Sequence, residues 1–152
     1  MKTEKNALRF VELSKDDSQL ISTIEKLAHS HPMSEANIQS CFGHLYHNLG
    51  LKLNEQLVAF AIVHQVVDEA TLMDICVSPY AQGQGLGKIL MAELIQTAKK
   101  REASFLQLEV RASNQSAIQL YIKSGFTETG KRKEYYPSKR GREDAILMEL
   151  KL

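Results

Sequence analysis

Two clusters of residues have types and spacings suited to chemistry. The first is Gln82-Gly83-Gln84-Gly85-Leu86-Gly87-Lys88, which holds three of the eight glycines. An apolar run, Ala70–Val77, precedes it, and residues with apolar side chains at helical spacing follow it. The first N–H groups of a helix have no internal partners, and the helix dipole adds partial positive charge there. Glycines let that backbone approach an anion closely. The expected ligand of such a loop is therefore a phosphate or a diphosphate; a plain glycine turn capping a helix is the alternative. Two common phosphate motifs do not fit. A Walker loop needs Gly, four residues, then Gly-Lys-Ser/Thr, but Gln82 stands five before Gly87 and Ile89 follows Lys88. A dinucleotide fingerprint needs a third glycine where Leu90 stands. What remains is Gln-x-x-Gly-x-Gly, filled by Gln82, Gly85 and Gly87.

The second cluster runs from Leu108 to Phe126 and carries Glu109, Asn114 and Tyr121. A carboxylate can take a proton and a phenol can give one. A strand-edge charge, a helix N-cap and a half-buried aromatic are the purely structural readings of the same three residues.

The elements that must position these clusters follow from periodicity. Ala7–Leu13 reads as a strand, and Ser14 with Asp17 as a capping box that opens a helix. Leu20, Ile21, Ile24, Leu27 and Ala28 recur on one predicted helix face. Pro32 ends that helix, and Ser34 caps another carrying Ile38, Cys41 and Phe42. Leu49–Leu53 and Leu57–Val67 read as a hairpin turning at Asn54–Glu55, with Ala70–Val77 as the next strand after a turn at Asp68–Glu69. A long helix follows the glycines, with Leu86, Ile89, Leu90, Leu94, Ile95 and Ala98 on one face and Lys99, Lys100 and Arg101 in its last turn. Phe105–Val110 is a strand, and Asn114 caps a short helix that ends at Gly125. Two last strands, near Thr127–Tyr136 and Asp144–Leu150, are joined by a polar loop holding Pro137 and Gly141. Hairpins mixed with crossovers predict an α/β (α+β) fold with a mixed sheet flanked by helices.

Size and composition bound the function. At 152 residues the chain fits a single domain spanning 1–152 and can form a core without metals or disulfides. A net charge of +1 argues against direct nucleic-acid binding through bulk charge. Cys41 and Cys76 are expected to be buried free thiols in a reducing compartment. No apolar run approaches the length of a membrane span, and the charged start, Met1 to Arg9, is followed by no signal-like apolar core. The expected location is cytoplasmic.

With the motifs in place, a family resemblance is visible. The Gln82-Gly85-Gly87 loop resembles the acetyl-CoA diphosphate loop of the GNAT acetyltransferases. Asn114, Ala117, Leu120-Tyr121 and Gly125-Phe126 resemble the segment that follows it in that superfamily. A closer resemblance is to the RimI-type ribosomal-protein-alanine N-acetyltransferases. It is carried by Asp68–Leu72, Leu108–Asn114, Tyr135-Tyr136-Pro137 and Gly141–Ala145, and it covers about Asp68 to Leu150.

The resemblance implies a GNAT fold, with acetyl-CoA as acyl donor. The implied acceptor is the N-terminal alanine amine of small-subunit ribosomal protein eighteen. It implies Glu109 as general base and Tyr121 as general acid, with Asn114 near the pantetheine arm. Ile75, Cys76 and Val77 would offer backbone N–H groups to the thioester carbonyl, and Gln82, Gly83, Gln84, Gly85, Leu86, Gly87 and Lys88 would hold the phosphates. Amide transfer needs a neutral amine, and direct attack needs no covalent enzyme intermediate. Transfer to a lysine or a small-molecule amine is the competing expectation. Two positions depart from the family: His31 and Met33 flank Pro32 where an aromatic pair is common, and Gly83 stands where many relatives carry a basic residue.

Weaker signals are read plainly. His44 and His47 have helical spacing but no third ligand nearby, so no metal site is expected and they read as a helix face. His29 and His31 border the expected acceptor entrance. Glu35, Asp74 and Asp144 are candidates to attract basic acceptor residues. Lys131-Arg132-Lys133 reads as a solvated strand face, and Cys76 as packing.

Overall fold

The computed structural model describes residues 7–152; the charged stretch 1–6 lies outside it. Seven strands form one sheet in the order β1-β2-β3-β4-β5-β7-β6. They are β1 (Leu8–Glu12), β2 (Tyr46–Leu53), β3 (Gln56–Val66), β4 (Glu69–Val77), β5 (Phe105–Arg111), β6 (Thr127–Ser138) and β7 (Gly141–Lys151). The helices are α1 (Ser18–Ala28), α2 (Glu35–Gln39), α3 (Leu86–Lys100) and α4 (Gln115–Lys123). All adjacent pairs are antiparallel except β4–β5, which is parallel. A parallel pair needs a crossover, and α3 supplies it. The mixed sheet of the expected class is therefore observed.

One irregularity shapes the site. Ile62 pairs with Asp74 and Val63 with Leu72, so Met73 is an extra residue bulged out of β4. Bulges bend the strand that carries them. The parallel β4–β5 pairing runs only from Glu69↔Phe105 to Thr71↔Gln107 and stops just before the bulge. Beyond it the C-terminal half of β4 and that of β5 are unpaired with one another, and a cleft opens between them.

Two apolar cores sandwich the sheet. Leu86, Leu90, Met91, Leu94 and Ala98 of α3 pack on β2 to β7, with Ala70 and Leu72 before the bulge and Ile75 and Val77 after it. On the other face, Ile21 and Ile24 of α1 and Ile38 of α2 pack with Phe60, Ile62, Cys41 and Cys76.

Several expectations are corrected. Leu20 and Leu27 are more than half exposed, and α1 instead buries Ser18, Ile21, Ser22, Ile24 and Glu25. The helix is rolled so that a carboxylate, not a leucine, faces inward. The capping pair is present, with the Ser14 N–H donating to Asp17 Oδ2 at 2.8 Å, but it opens a 3-10 turn that runs into α1. Helix α2 ends at Gln39, short of Cys41 and Phe42. In α3, Met91 joins the buried face while Ile89 is exposed. His44 lies in a turn and His47 in β2, so neither is helical. The expected loop around Pro137 is a continuation of the β6–β7 hairpin: Pro137 pairs with Arg142, and only Lys139 and Arg140 separate the strands. Proline is tolerated there because β6 is an edge strand.

Candidate active site

The glycine loop lies at one end of the cleft between β4 and β5. Gly83 has φ +80° and Gly85 φ +77°, and a Cβ built at either meets no atom within 4 Å. The left-handed backbone explains why glycine stands there, and the open space around it admits a ligand. The Ile89 N–H bonds back to the Gly85 carbonyl, so Gly85 caps α3 and the N–H groups before Ile89 are without helical partners. The Gln82 side chain donates to the Val77 carbonyl at 3.1 Å and ties the loop to the end of β4. These features fit a diphosphate.

The cleft has a volume of about 640 Å³. Of the residues expected to hold a cofactor, Ile75, Cys76, Val77, Gln82, Gly83, Gly85, Leu86, Gly87 and Asn114 line it, and Gln84 and Lys88 do not. The Ser78 N–H donates to Val58 of β3 at 2.7 Å. Strand alternation then turns the Cys76 N–H toward β3 and those of Ile75 and Val77 toward the cleft. Burial raises the Cys76 thiol far above its ordinary range. Cys76 is thus unlike its two neighbours in both N–H direction and packing.

Glu109 and Tyr121 both line this cleft. Glu109 sits in the half of β5 that is not paired with β4, and its Oε1 is 3.1 Å from Arg132 Nε on β6. Arg132 was expected to be merely solvated; it is exposed, yet it is paired to the candidate base. Tyr121 is 7 % exposed, packed in α4 against Phe126 with ring centroids 5.8 Å apart. Burial raises its phenol well above the ordinary value, with Asp74 acting in the same direction. The Asn114 side chain caps α4, accepting from the Ala117 N–H at 3.3 Å.

A second cavity, about 520 Å³, lies against the first. Leu72, Met73, Glu109 and Tyr136 line both. Glu109 therefore stands on the wall that the two cavities share. The β6–β7 hairpin is held against this wall by Arg111, which donates to the Pro137 carbonyl at 2.7 Å and to Glu143 Oε1 at 3.0 Å and lies over the Tyr136 ring. Glu143 in turn accepts from the Ser113 N–H at 3.2 Å.

Sequence reasoning missed one group in the cleft. Glu25 of α1, only 1 % exposed, approaches His29, which approaches Asp74. Burial, reinforced by Asp74, raises the Glu25 carboxyl; Asp74 raises the His29 imidazole. The glutamate–histidine spacing of four residues was the available signal. Of the three acidic residues expected to attract basic acceptor residues, Asp74 lines the cleft, Asp144 accepts from the Glu134 N–H at 3.0 Å, and Glu35 lines neither cavity. His31 and Met33 line the cleft as well.

Comparison with known proteins agrees with this geometry. The [ribosomal protein bS18]-alanine N-acetyltransferase of Escherichia coli strain K12 is 50 % identical over 127 residues, 84 % of this chain and 86 % of the relative. The Haemophilus influenzae enzyme of the same name is 44 % identical over 133 residues, 87 % of this chain and 90 % of the relative. The crystal structure of the ribosomal-protein-S18-alanine N-acetyltransferase from E. coli superposes with a TM-score of 0.92 at 45 % identity, covering 95 % of this chain and 94 % of that one. The family model described as "Acetyltransferase (GNAT) family" matches residues 10–126, and with the splayed β4–β5 pair and glycine-capped α3 already described, the chain belongs to that family.

Proposed function

We propose that this protein transfers an acetyl group from acetyl-CoA to the α-amine of the N-terminal alanine of ribosomal protein bS18. The observation that carries the reading is the position of Glu109 on the wall shared by two cavities, one of which ends in the glycine loop. A donor bound along the first cavity and an amine entering from the second would meet beside a carboxylate. Relatives at 44–50 % identity that bear this activity in their names support the choice of acceptor.

The bound donor supplies an acetyl thioester. The backbone N–H groups of Gly83 to Lys88 hold its diphosphate, with Gln82 fixing the loop. The Gln84 side chain does not line the cleft. The N–H groups of Ile75 and Val77 polarise the acyl carbonyl in the gap beside Cys76, and the free amide N–H₂ of Asn114 meets the arm that links acyl group and nucleotide. Such prealigned donors stabilise charge as it develops. Glu109 takes a proton from the acceptor's ammonium, directly or through a water, and the freed amine attacks the acyl carbon. As the C–S bond breaks, Tyr121, held protonated by burial, gives its proton to the departing sulfur and regains one from the nitrogen of the new amide.

Acceptor choice follows from basicity. An α-amine with a pKa of about 7.7–8.0 is neutral in roughly a tenth or more of molecules near pH 7, whereas a lysine amine with a pKa of about 10.4 is neutral in fewer than about one in a thousand. A carboxylate base suffices more readily for the former. Among the described residues no helix is long and apolar enough to cross a membrane. Two buried free thiols and a ribosomal acceptor favour a cytoplasmic protein.

The test is mass spectrometry of an alanine-initiated basic peptide incubated with enzyme and acetyl-CoA. The expected product carries one acetyl group on its α-amine, and blocking that amine abolishes turnover. Equal modification of the blocked peptide on lysine would overturn the acceptor and leave an acetyltransferase of another specificity.

A further inference from the structure

The cluster at the α1 end of the cleft is not needed for acetyl transfer as described. His29 Nε2 lies 3.0 Å from Glu25 Oε1 and 3.3 Å from Asp74 Oδ1. His29 thus stands between two carboxyls. Glu25 Oε1 and Oε2, His29 Nε2 and Asp74 Oδ2 are all buried without a hydrogen-bond partner. Buried polar groups are nearly always paired, and an unpaired buried carboxyl is costly. Four such atoms in one place call for something that satisfies them together.

The donor types suggest what that is. Donor atoms of Glu25, His29 and Cys76 all lie within 4.8 Å of one another. Oxygen and nitrogen ligands about 2.0 Å from a tetrahedral ion lie about 3.3 Å apart, which matches the spacings around His29 Nε2. Glu25 and His29 are four apart on one helical turn, and Asp74 and Cys76 are two apart on one strand, so each pair points the same way.

We propose that Glu25, His29 and Cys76 form a three-donor site for a divalent cation of the zinc type, with Asp74 at its edge beside His29, and that the ion pins the C-terminal end of α1 to β4 beside the Met73 bulge. Mixed thiolate, imidazole and carboxylate ligands suit zinc rather than magnesium or calcium. Binding requires the thiol and the Glu25 carboxyl to give up their protons. The two anionic ligands, Glu25 and Cys76, would balance the charge of a divalent ion, and Arg111, which also borders this part of the cleft, lies near enough to oppose charge on His29. Sequence spacing could not reveal the site, because its donors come from both α1 and β4, which lie far apart along the chain.

The experiment is metal titration of the full-length protein without acyl donor or acceptor, so it is independent of the proposed function. Zinc is followed by calorimetry against a competing chelator, and cobalt by absorption. The expected result is one ion per chain, a cobalt spectrum of tetrahedral intensity with a thiolate charge-transfer band, and no comparable binding of magnesium. Cys76→Ser should remove that band, and Glu25→Gln or His29→Ala should weaken zinc by more than about tenfold, the loss found even for groups one step removed from a metal. Cys41→Ser, which alters the other buried thiol, should leave binding and spectrum unchanged. Absence of stoichiometric binding, a cobalt spectrum without a sulfur band, or binding undiminished in the variants would overturn the site. Should Cys76→Ser fail to fold, the wild-type cobalt spectrum decides alone.

Discussion

Arg132 Nε and Glu109 Oε1 are 3.1 Å apart, joining β6 to the half of β5 that is not paired with β4. The guanidinium also lies 5.3 Å from the centroid of the Tyr135 ring, so it is held from two sides. The pair fixes one carboxylate oxygen and leaves the other for a proton. Glu109→Gln should lower kcat by about 10²–10⁴-fold, the usual share of a general base. Arg132→Met should lower kcat by roughly tenfold through loss of positioning, with donor affinity unchanged. Steady-state kinetics on both variants, with donor binding by calorimetry, separates these effects; wild-type kcat in Glu109→Gln would remove Glu109 from the chemistry.

Tyr121 is buried against Phe126 and its phenol stays protonated at neutral pH. Tyr121→Phe keeps the packing and removes only the hydroxyl. It should lower kcat by about 10²–10⁴-fold with little change in KM, since the proton is needed only as charge develops on sulfur. Unchanged kcat in a folded variant reassigns the tyrosine to the core.

Gly85 combines a left-handed backbone with open space where a Cβ would stand. Gly85→Asp adds strain and a negative charge at the helix start. Acetyl-CoA binding by calorimetry should fall below detection while the far-ultraviolet circular dichroism persists. Gly85→Ala separates the two causes: it adds the strain without the charge and should bind more tightly than the aspartate variant.

His47 gives a pH dependence away from the active site. Burial, with Arg101 nearby, lowers its pKa from 6.5 to about 4, and its ring meets Gln65 at 3.3 Å. The unfolded chain therefore binds a proton between those values that the folded protein does not. Stability rises with pH wherever the unfolded state holds more protons, so His47 weakens folding as pH falls from 6.5 toward 4. Urea melts at pH 7 and pH 5 should show a smaller loss in His47→Gln than in wild type. An equal loss in both would place the titrating group elsewhere.

Much of this was legible in the chain itself. The glycine loop, the flanking strand and helix and the Asn114 cap rest on local backbone chemistry, so they could be read directly. The Met73 bulge could not, because it depends on how β4 registers against β3. Arg132 pairing with Glu109 depends in the same way on the irregular register of β6 against β7. The inward-facing Glu25 ran against periodicity, since the leucines at 20 and 27 offered a more apolar face that the helix does not use. Tertiary demands at the cleft outweighed the local pattern there.

The bulge at Met73 also works as a half-step in the strand's two-residue rhythm. Before it the even-numbered residues Ala70 and Leu72 lie under α3; after it the odd-numbered Ile75 and Val77 do. Deleting Met73 would therefore do more than shorten β4. It would restore an unbroken alternation, with Ala70, Leu72, Ile75 and Val77 still under α3, and remove the bend at the point where β4 parts from β5. The chain would lose one methionine and, with it, the departure of β4 from β5 that opens the cleft.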